Sequence, residues 1–370
     1  ANDLLEELIL DILLKLPPKS LLRFRIVCKS WNNLIQNPSF MAKQLQGSIA
    51  LTKHQPLLLL RQCSYPREDY TLHLENCGFE EYSRFHYPFR YAFGTRFNFV
   101  GSCNGLVCLA SNLTSTGMDF VLWNPSIQKC VLPKLSQPMV KGTSFIGFGY
   151  DSPTNDYKLF SMSCEERAMR LDVYSLNKDS WAIKKQETSL YYASTHQYHS
   201  PAYVCGIAHW IAIRAFCMGC RRVILSFDIS DEVISEMELP DCFCDARIQL
   251  VDLSISTHKD STIVLAGPVS TIGNEVPRIC GTLRFSSTEK LILQLCSGAI
   301  VSVDPKSLKI ETTLGNAAEG GDFSSQDGHE MERRDCNGMI CYYVESLVLL
   351  DNARARNCMA TRTPSGRAFA

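Results

Sequence analysis

The chain has 370 residues, 45% of them hydrophobic and 20% charged, with 37 basic and 38 acidic residues and a net charge of −1. That length allows two or three domains, and the near-neutral balance gives no global field drawing the chain to nucleic acid or an anionic membrane. No stretch approaches the roughly 20 apolar residues of a membrane span, and the acidic, amphipathic N-terminus lacks the basic-then-apolar order of a secretory signal. A cytosolic or nuclear protein is the expectation. The 17 cysteines are odd in number and scattered from Cys28 to Cys358, which in a reducing compartment reads as free thiols rather than a disulfide framework.

The first predicted element is a helix ending before Pro17 and Pro18. Leu4, Leu5, Leu8, Ile9, Ile12, Leu13 and Leu16 recur on it at steps of three and four, a broad apolar stripe. Asp3 is placed to cap it, with Glu6 three residues on. A second apolar run follows: Leu21, Leu22, Phe24, Ile26, Val27, Trp31, Leu34 and Ile35. A unit this small has more leucine and isoleucine than it can bury alone. The surplus faces either the rest of the chain or another protein.

The order of residues, rather than their period, separates those two. LxEELxxxIL, LPxKSLLRF, VCKSW, LI and NPxF stand in sequence over residues 4–40, and this stretch resembles an F-box. The resemblance implies a Skp-family adaptor as partner, and through it cullin and RING subunits. It also implies that Leu4, Leu5, Leu8, Ile12, Leu16, Pro17, Leu21, Leu22, Val27, Cys28, Lys29 and Trp31 carry the contact, within an F-box spanning residues 1–46. One departure is Leu4-Leu5 where the family usually has Leu-Pro. Proline is pre-organised for the first helical position, so a modest loss of adaptor affinity is expected. The chain starts at Ala1, as a trimmed product or an incomplete translation would.

From about Leu51 the texture changes to short Val, Ile, Leu, Phe and Tyr runs broken by Gly, Asn, Asp and Pro, the pattern of antiparallel strands. FVLWNPSIQKCVLPKL from Phe120, LDVYSLNKDSWAIKK from Leu171, VILSFDISDEVISEMELP from Val223 and IVSVDPKSLKIETTL from Ile300 each read as a hairpin around an Asn- or Asp-bearing turn. TLRFSSTEKLILQL, ending at Leu295, reads as one more unit with a weaker turn. A recurrence near 50 residues predicts a kelch-like β-propeller over residues 50–350, with about six blades, one degenerate. The fold class is therefore α+β multidomain: a short helical F-box followed by an all-β propeller. Trp123, Trp181 and Trp210 are expected between blades.

GSCNGLVCL at 101–109, LWNPS at 122–126, GFGYD at 147–151, DYKL at 156–159, YVCGIAHWIA at 203–212, ILSFDIS at 224–230, VSVDPKS at 301–307 and YVESLVLL at 343–350 resemble the F-box-associated domain of plant F-box proteins. The likeness extends to the S-locus F-box group of self-incompatibility and to its general relatives, without separating them. The subgroup implies a pistil S-ribonuclease as target. Residues 315–338 are Gly-rich and charged and fit the family poorly. The tail 353–370, with four arginines and no acid, reads as disordered, in the manner of an altered reading frame or a basic arm.

No catalytic signature appears. Gly-x-Ser-x-Gly, a Walker loop, a dinucleotide fingerprint and His-Glu-x-x-His are all missing, and Gly101 to Gly105 reads as a hairpin turn. Cys217 and Cys220, with Cys242 and Cys244, have the wrong second gap for a zinc site and no histidine at ligand spacing, so no cofactor is expected. The chain is read as a non-catalytic subunit of a ubiquitin ligase that captures a protein. Two stretches suggest the capture surface, one rich in aromatics and arginine and the other in tyrosine and histidine: Tyr82, Arg84, Phe85, Tyr87 and Arg90 in the first, Tyr191, Tyr192, His196 and Tyr198 in the second. The plainer reading of both is ordinary strand and turn. Two further readings stay open: a propeller binding protein or metalloenzyme outside ubiquitination, and a non-functional relative.

Overall fold

A computed structural model describes residues 2–64, 67–76, 79–86, 97–111, 118–133, 144–165, 168–187, 191–194, 200–216, 219–240, 243, 254–258, 261–266, 279–286, 289–295, 300–304, 307, 310–315 and 339–357. The side chains of residues 1–5 are outside that set. Four helices come first: α1 (Asn2–Leu14), α2 (Pro18–Phe24), α3 (Lys29–Ile35) and α4 (Pro38–His54). Pro18 and Pro38 each stand at a helix start, where a missing N–H costs nothing. The Asn37 Oδ1 accepts from the Ser39 N–H at 2.8 Å and caps α4. Helix α1 already includes Asp3, so Asp3 stands inside the helix and not at its cap. Helix α4 runs to His54, past the predicted domain end at residue 46, and the first strand begins at Leu57.

The strands form six antiparallel sheets among the described residues. Blade 1 is β1 (Leu57–Ser64), β2 (Arg67–Leu74) and β3 (Glu81–His86), completed from the far end of the chain by β23 (Met339–Tyr343). Blade 2 is β4 (Phe97–Cys103), β5 (Leu106–Ser111), β6 (Phe120–Asn124) and β7 (Lys129–Val131), extended by β24 (Arg356–Asn357). Blade 3 is β8 (Ser144–Asp151), β9 (Asp156–Glu165), β10 (Ala168–Ser175) and β11 (Ser180–Glu187). Blade 4 is β12 (Tyr191–Ser194), β13 (Ala202–Val204), β14 (Ile207–Phe216), β15 (Gly219–Asp228) and β16 (Val233–Glu238). The fifth sheet is the pair β17 (Ser254–His258) and β18 (Thr262–Ala266), and the sixth is β19 (Ile279–Phe285), β20 (Leu291–Leu295), β21 (Ile300–Val303) and β22 (Ile310–Gly315). Neighbouring sheets meet along β23 and β4, β4 and β8, β8 and β12, β13 and β17, and β17 and β19, and β19 meets β23, so the ring closes between the last and first sheets.

Two sequence expectations change here. The units beginning TLRF and IVSV are not separate blades. They are the inner and outer hairpins of one sheet, β19–β22, and the reduced blade is the two-stranded β17–β18. The chain beyond residue 353 is partly built into blade 2. Arg356 and Asn357 pair with Cys130 and Lys129, and Arg354 meets Asp179 at 3.0 Å. Residues 316–338 and 358–370 lie outside the described residues.

The turns show why the sequence repeats as it does. The outer hairpins turn at Asn124 to Gln128, Ser175 to Asp179 and Asp228 to Glu232, and Asp151 to Asn155 joins β8 to β9 in the same way. The fifth residue of each is left-handed: Gln128 (φ 55), Asn155 (φ 51), Asp179 (φ 51) and Glu232 (φ 55). The first residue supplies a short oxygen that ties the turn to itself. The Asn124 Oδ1 accepts from the Ser126 N–H at 3.0 Å, and the Asp228 Oδ1 accepts from the N–H groups of Ser230 and Asp231. Between β4 and β5, Asn104 (φ 49) and Gly105 (φ 83) make the two-residue turn expected of Asn-Gly. A Cβ on Gly105 would sit 2.2 Å from the Ser346 Oγ, so no other residue fits.

Packing between blades is aromatic. Trp123 on blade 2 meets Tyr70 and Phe85 of blade 1 edge-on, with ring centroids 5.1 and 6.3 Å apart. Trp181 on blade 3 meets Phe120 of blade 2 at 5.8 Å, and Trp210 on blade 4 meets Phe145 and Phe160 of blade 3 at 6.0 Å each. All three tryptophans thus sit between sheets.

Candidate functional site

The helical unit divides its apolar residues between a core and a surface. Leu13, Leu21, Ile35 and Phe40 are buried, and Ile9, Leu10, Leu14, Leu16, Leu22, Phe24, Trp31 and Leu34 pack partly against them. Trp31 lies edge-on to Phe24 at 5.6 Å. Outside that core, Leu8 is 52% exposed and Ile12 61%, one turn apart on α1. Ile26 and Val27, between α2 and α3, are 89% and 59% exposed. Pro17, Cys28 and Lys29 are exposed beside them. Exposed β-branched and leucine side chains at this density are uncommon on a surface with no partner.

The predicted adaptor contacts therefore separate. Leu8, Ile12, Pro17, Val27, Cys28 and Lys29 stand on the surface, while Leu16, Leu22 and Trp31 are half-buried. Leu21 is a correction: it is wholly enclosed and serves the helical core. It lies in the second apolar run, on α2, whose residue types alone do not say which of them the chain covers. Leu4 and Leu5 lie in α1, with side chains outside the described set. Ile26 was missed as a site residue. Its signal was its place beside Val27, in a helix-breaking segment with no helical face to join.

The predicted capture residues are not brought together. Tyr82 and Arg84 are exposed on β3, and Arg84 is already paired with Glu81 at 2.8 Å. Phe85 is a correction, since it is buried against Trp123. Tyr191 is exposed on β12, three blades around the ring. Tyr192 is a second correction: it is buried, and its hydroxyl donates to the Glu236 Oε2 at 2.8 Å. Phe85 and Tyr192 each follow an outward residue, and alternation along a strand turns them inward. Tyr87, Arg90, His196 and Tyr198 lie outside the described residues. So do Cys217, Cys242 and Cys244, while Cys220 is exposed on β15. Among the described residues no group of three His, Cys, Asp or Glu is placed to hold a metal ion, and no helix is long and apolar enough to cross a membrane.

The motif residues of the strands serve as joints between blades. Gly147 and Gly149 leave room for Phe160, Tyr203 and Ile229, since a Cβ on either would lie 2.4 Å from a neighbouring side chain. Lys158 is buried, and its Nζ donates to Asp151 (2.8 Å), to the Glu232 Oε1 (3.0 Å) and to the Ile229 carbonyl (3.0 Å). The Ser230 Oγ donates to the Asp151 Oδ1 at 2.9 Å, and Lys184 meets Glu232 at 2.6 Å. Blades 3 and 4 are thus locked by a satisfied ionic cluster. Asn124 does the same between blade 2 and the chain's end. It is wholly buried, and its Nδ2 donates to the carbonyls of Ser346 (3.0 Å) and Val348 (2.8 Å).

Two family models match. The F-box domain model covers residues 2–43, and the F-box associated beta propeller domain model covers residues 85–271, half of the chain. The chain belongs to the F-box proteins with an F-box-associated propeller. Its similar relatives are from Arabidopsis thaliana. They include the F-box/kelch-repeat protein At3g23880 (27% identical, covering 64% of this chain and 65% of that protein), the putative F-box protein At3g10240 (27%, 73% and 64%) and F-box protein CPR1 (26%, 66% and 62%). The chain spans just under two thirds of the length of these relatives. Apo AztD from Citrobacter koseri aligns with 79% of the chain at 10% identity, but with a TM-score of only 0.29.

The ionic cluster gives this F-box protein a defined pH response. Burial opposes ionisation of Asp151 and of Glu232, but hydrogen bonds from Lys158, Thr154 and Ser230 to the first, and from Lys184 and Lys158 to the second, outweigh it. Both carboxyls therefore fall below their ordinary values of 3.8 and 4.5. Burial also opposes the charge on Lys158, and its bonds to Asp151 and Glu232 raise it above 10.5 despite that. A depressed carboxyl stabilises the fold above its unfolded value and loses that contribution as pH falls through the folded one. A raised lysine contributes below its unfolded value and loses it as pH rises further. The melting temperature of the chain should therefore fall as pH drops from about 5 to 3, and Lys158→Met should flatten that limb. An unchanged slope in the variant would show that other carboxylates carry it.

Proposed function

We propose that this F-box protein is the substrate-recognition subunit of an SCF-type cullin–RING ubiquitin ligase, working in the cytosol or nucleus. The surface at Leu8, Ile12, Pro17 and Ile26 to Lys29 docks a Skp-family adaptor, and the adaptor brings the cullin and RING subunits. The propeller captures a protein, and a pistil S-ribonuclease is the first target to test. The chain performs no bond chemistry of its own. It raises the effective concentration of a target lysine beside the charged conjugating enzyme.

One observation carries this reading. The helical unit buries Leu13, Leu21, Ile35 and Phe40 in a cluster it shares with the propeller, yet leaves Leu8, Ile12, Ile26 and Val27 largely in water. Those side chains add nothing to the fold where they stand, and burying each in a partner is worth about 1.5–3 kcal/mol. The F-box match over residues 2–43 supplies the partner's class.

The test is reconstitution. Purified full-length chain mixed with recombinant Skp-family adaptor, cullin and RING subunits should co-elute as one complex. With the ubiquitin-activating and ubiquitin-conjugating enzymes added, the complex should ubiquitinate S-ribonuclease in a chain-dependent manner. Failure to bind the adaptor would reject the ligase assignment. Adaptor binding without transfer to S-ribonuclease would reject only that target.

A further inference from the structure

The segment after the ring-closing strand β23 touches more of the molecule than a chain end needs to. Tyr343 is wholly buried, and its hydroxyl shares a hydrogen bond of 2.8 Å with the Ser126 Oγ on blade 2. Ser346 and Val348 are held by the Asn124 amide, and the Leu350 carbonyl accepts from the Lys129 Nζ at 2.7 Å. Arg354 crosses to Asp179 on blade 3, and Arg356 and Asn357 add a strand to blade 2.

The same segment meets the helices. Leu347, Leu349 and Leu350 are buried in one apolar cluster with Leu13, Leu21, Ile35 and Phe40 of the helices and with core residues of blades 2 and 3, Leu122 and Leu159 among them. Lys19, on α2, lies close enough to Glu345 to stabilise its carboxylate. Arg25, one residue past α2, lies close enough to Lys129 to disfavour its charge.

Backbone geometry adds an independent sign. Leu350 donates its N–H to the Leu347 carbonyl at 2.9 Å, which closes a four-residue turn. Leu349 stands at the third position with φ 76, where glycine is the usual residue. A leucine held there is strained and persists only where its surroundings over-determine it. Here the return is a side chain 3% exposed within the shared cluster.

We propose that residues 344–357 act as a strap that fixes the F-box helices to the propeller in one orientation. The strap has one set of contacts on blades 2 and 3 and another among the helices, so neither body turns without breaking one of them. Its consequence for ligation rests on the function proposed above: a fixed joint sets where the captured protein stands relative to the transfer machinery.

The test uses the full-length chain carrying Leu349→Gly, which keeps the turn and removes the anchoring side chain. Lys53, in the last turn of α4, is exposed and serves as the reporter for trypsin. Cleavage there should speed up about tenfold, since the helices open locally without global unfolding. Affinity for the recombinant Skp-family adaptor should change less than about twofold. A folded variant cut no faster than the parent would overturn the strap. So would faster cutting with adaptor binding lost, which would place Leu349 in the F-box core instead. If Leu349→Gly does not fold, the pair Lys129→Met and Arg354→Ala gives the same two readouts. Failure of the parent chain to bind adaptor would sink the ligase reading and leave the strap standing.

Discussion

Changing Leu8 and Ile12 together to aspartate will weaken adaptor binding by about a thousandfold or more. Both side chains stand in water in the free chain. If the adaptor covers them, the substitution removes about 1.5–3 kcal/mol of burial at each position and places two carboxylates against an apolar surface. A total above about 4 kcal/mol follows, which is three decades in affinity. The fold itself should not notice, because exposed substitutions away from caps and networks usually stay within about 0.5 kcal/mol. Calorimetric titration of recombinant adaptor against the variant, with its melting curve alongside, separates the two effects. Binding at parental strength would mean that the adaptor sits elsewhere. Leu22 is a poorer choice for the same experiment, since it is half-buried against the helical core and its loss would confuse docking with folding.

Asn124→Ala should be the most destabilising single change in the propeller's polar framework. It strands the buried carbonyls of Ser346 and Val348, and it leaves the Ser126 N–H only its longer bond of 3.3 Å to the Tyr343 hydroxyl. Each unsatisfied buried group costs about 1–3 kcal/mol, so a loss of about 3–5 kcal/mol is expected. At the few degrees per kcal/mol typical of larger domains, the melting temperature should drop by about 10 °C. Calorimetry of the full chain checks this, and a fall under about 2 °C would show that water replaces the amide without cost.

How much of this the sequence carried depends on the kind of information. Turn chemistry was legible at the residue level: Asn104-Gly105 and the turns opening at Asn124 and Asp228 sit where their preferences place them. The tryptophans, too large to hide within one sheet, could only lie between sheets. Facing was legible only in part. The helical stripe held both Leu8 and Leu13, and nothing in a periodic pattern marks one as covered by its own chain and the other as not. Phe85 and Tyr192 looked like interface anchors by residue type, but their place in the strand alternation turns them inward. The reduced blade was not legible because β17–β18 is a single short hairpin, without the longer strand–turn–strand run that marks the other blades. The work of residues 354–357 was invisible because its partners, Asp179 and Lys129, lie far away in the chain.

The pairing of β1 with β23 has a consequence for how the molecule comes into being. Leu57 to Leu60, a run that favours aggregation while unpaired, finds its inner neighbour only when Ile340 to Tyr343 have been synthesised. Blades 2 to 4 can assemble while the ribosome is still at work, but the first blade waits with one flank open. Pairing so distant in sequence is slow. A holding chaperone that binds this leucine run during translation would shield it until the ring shuts.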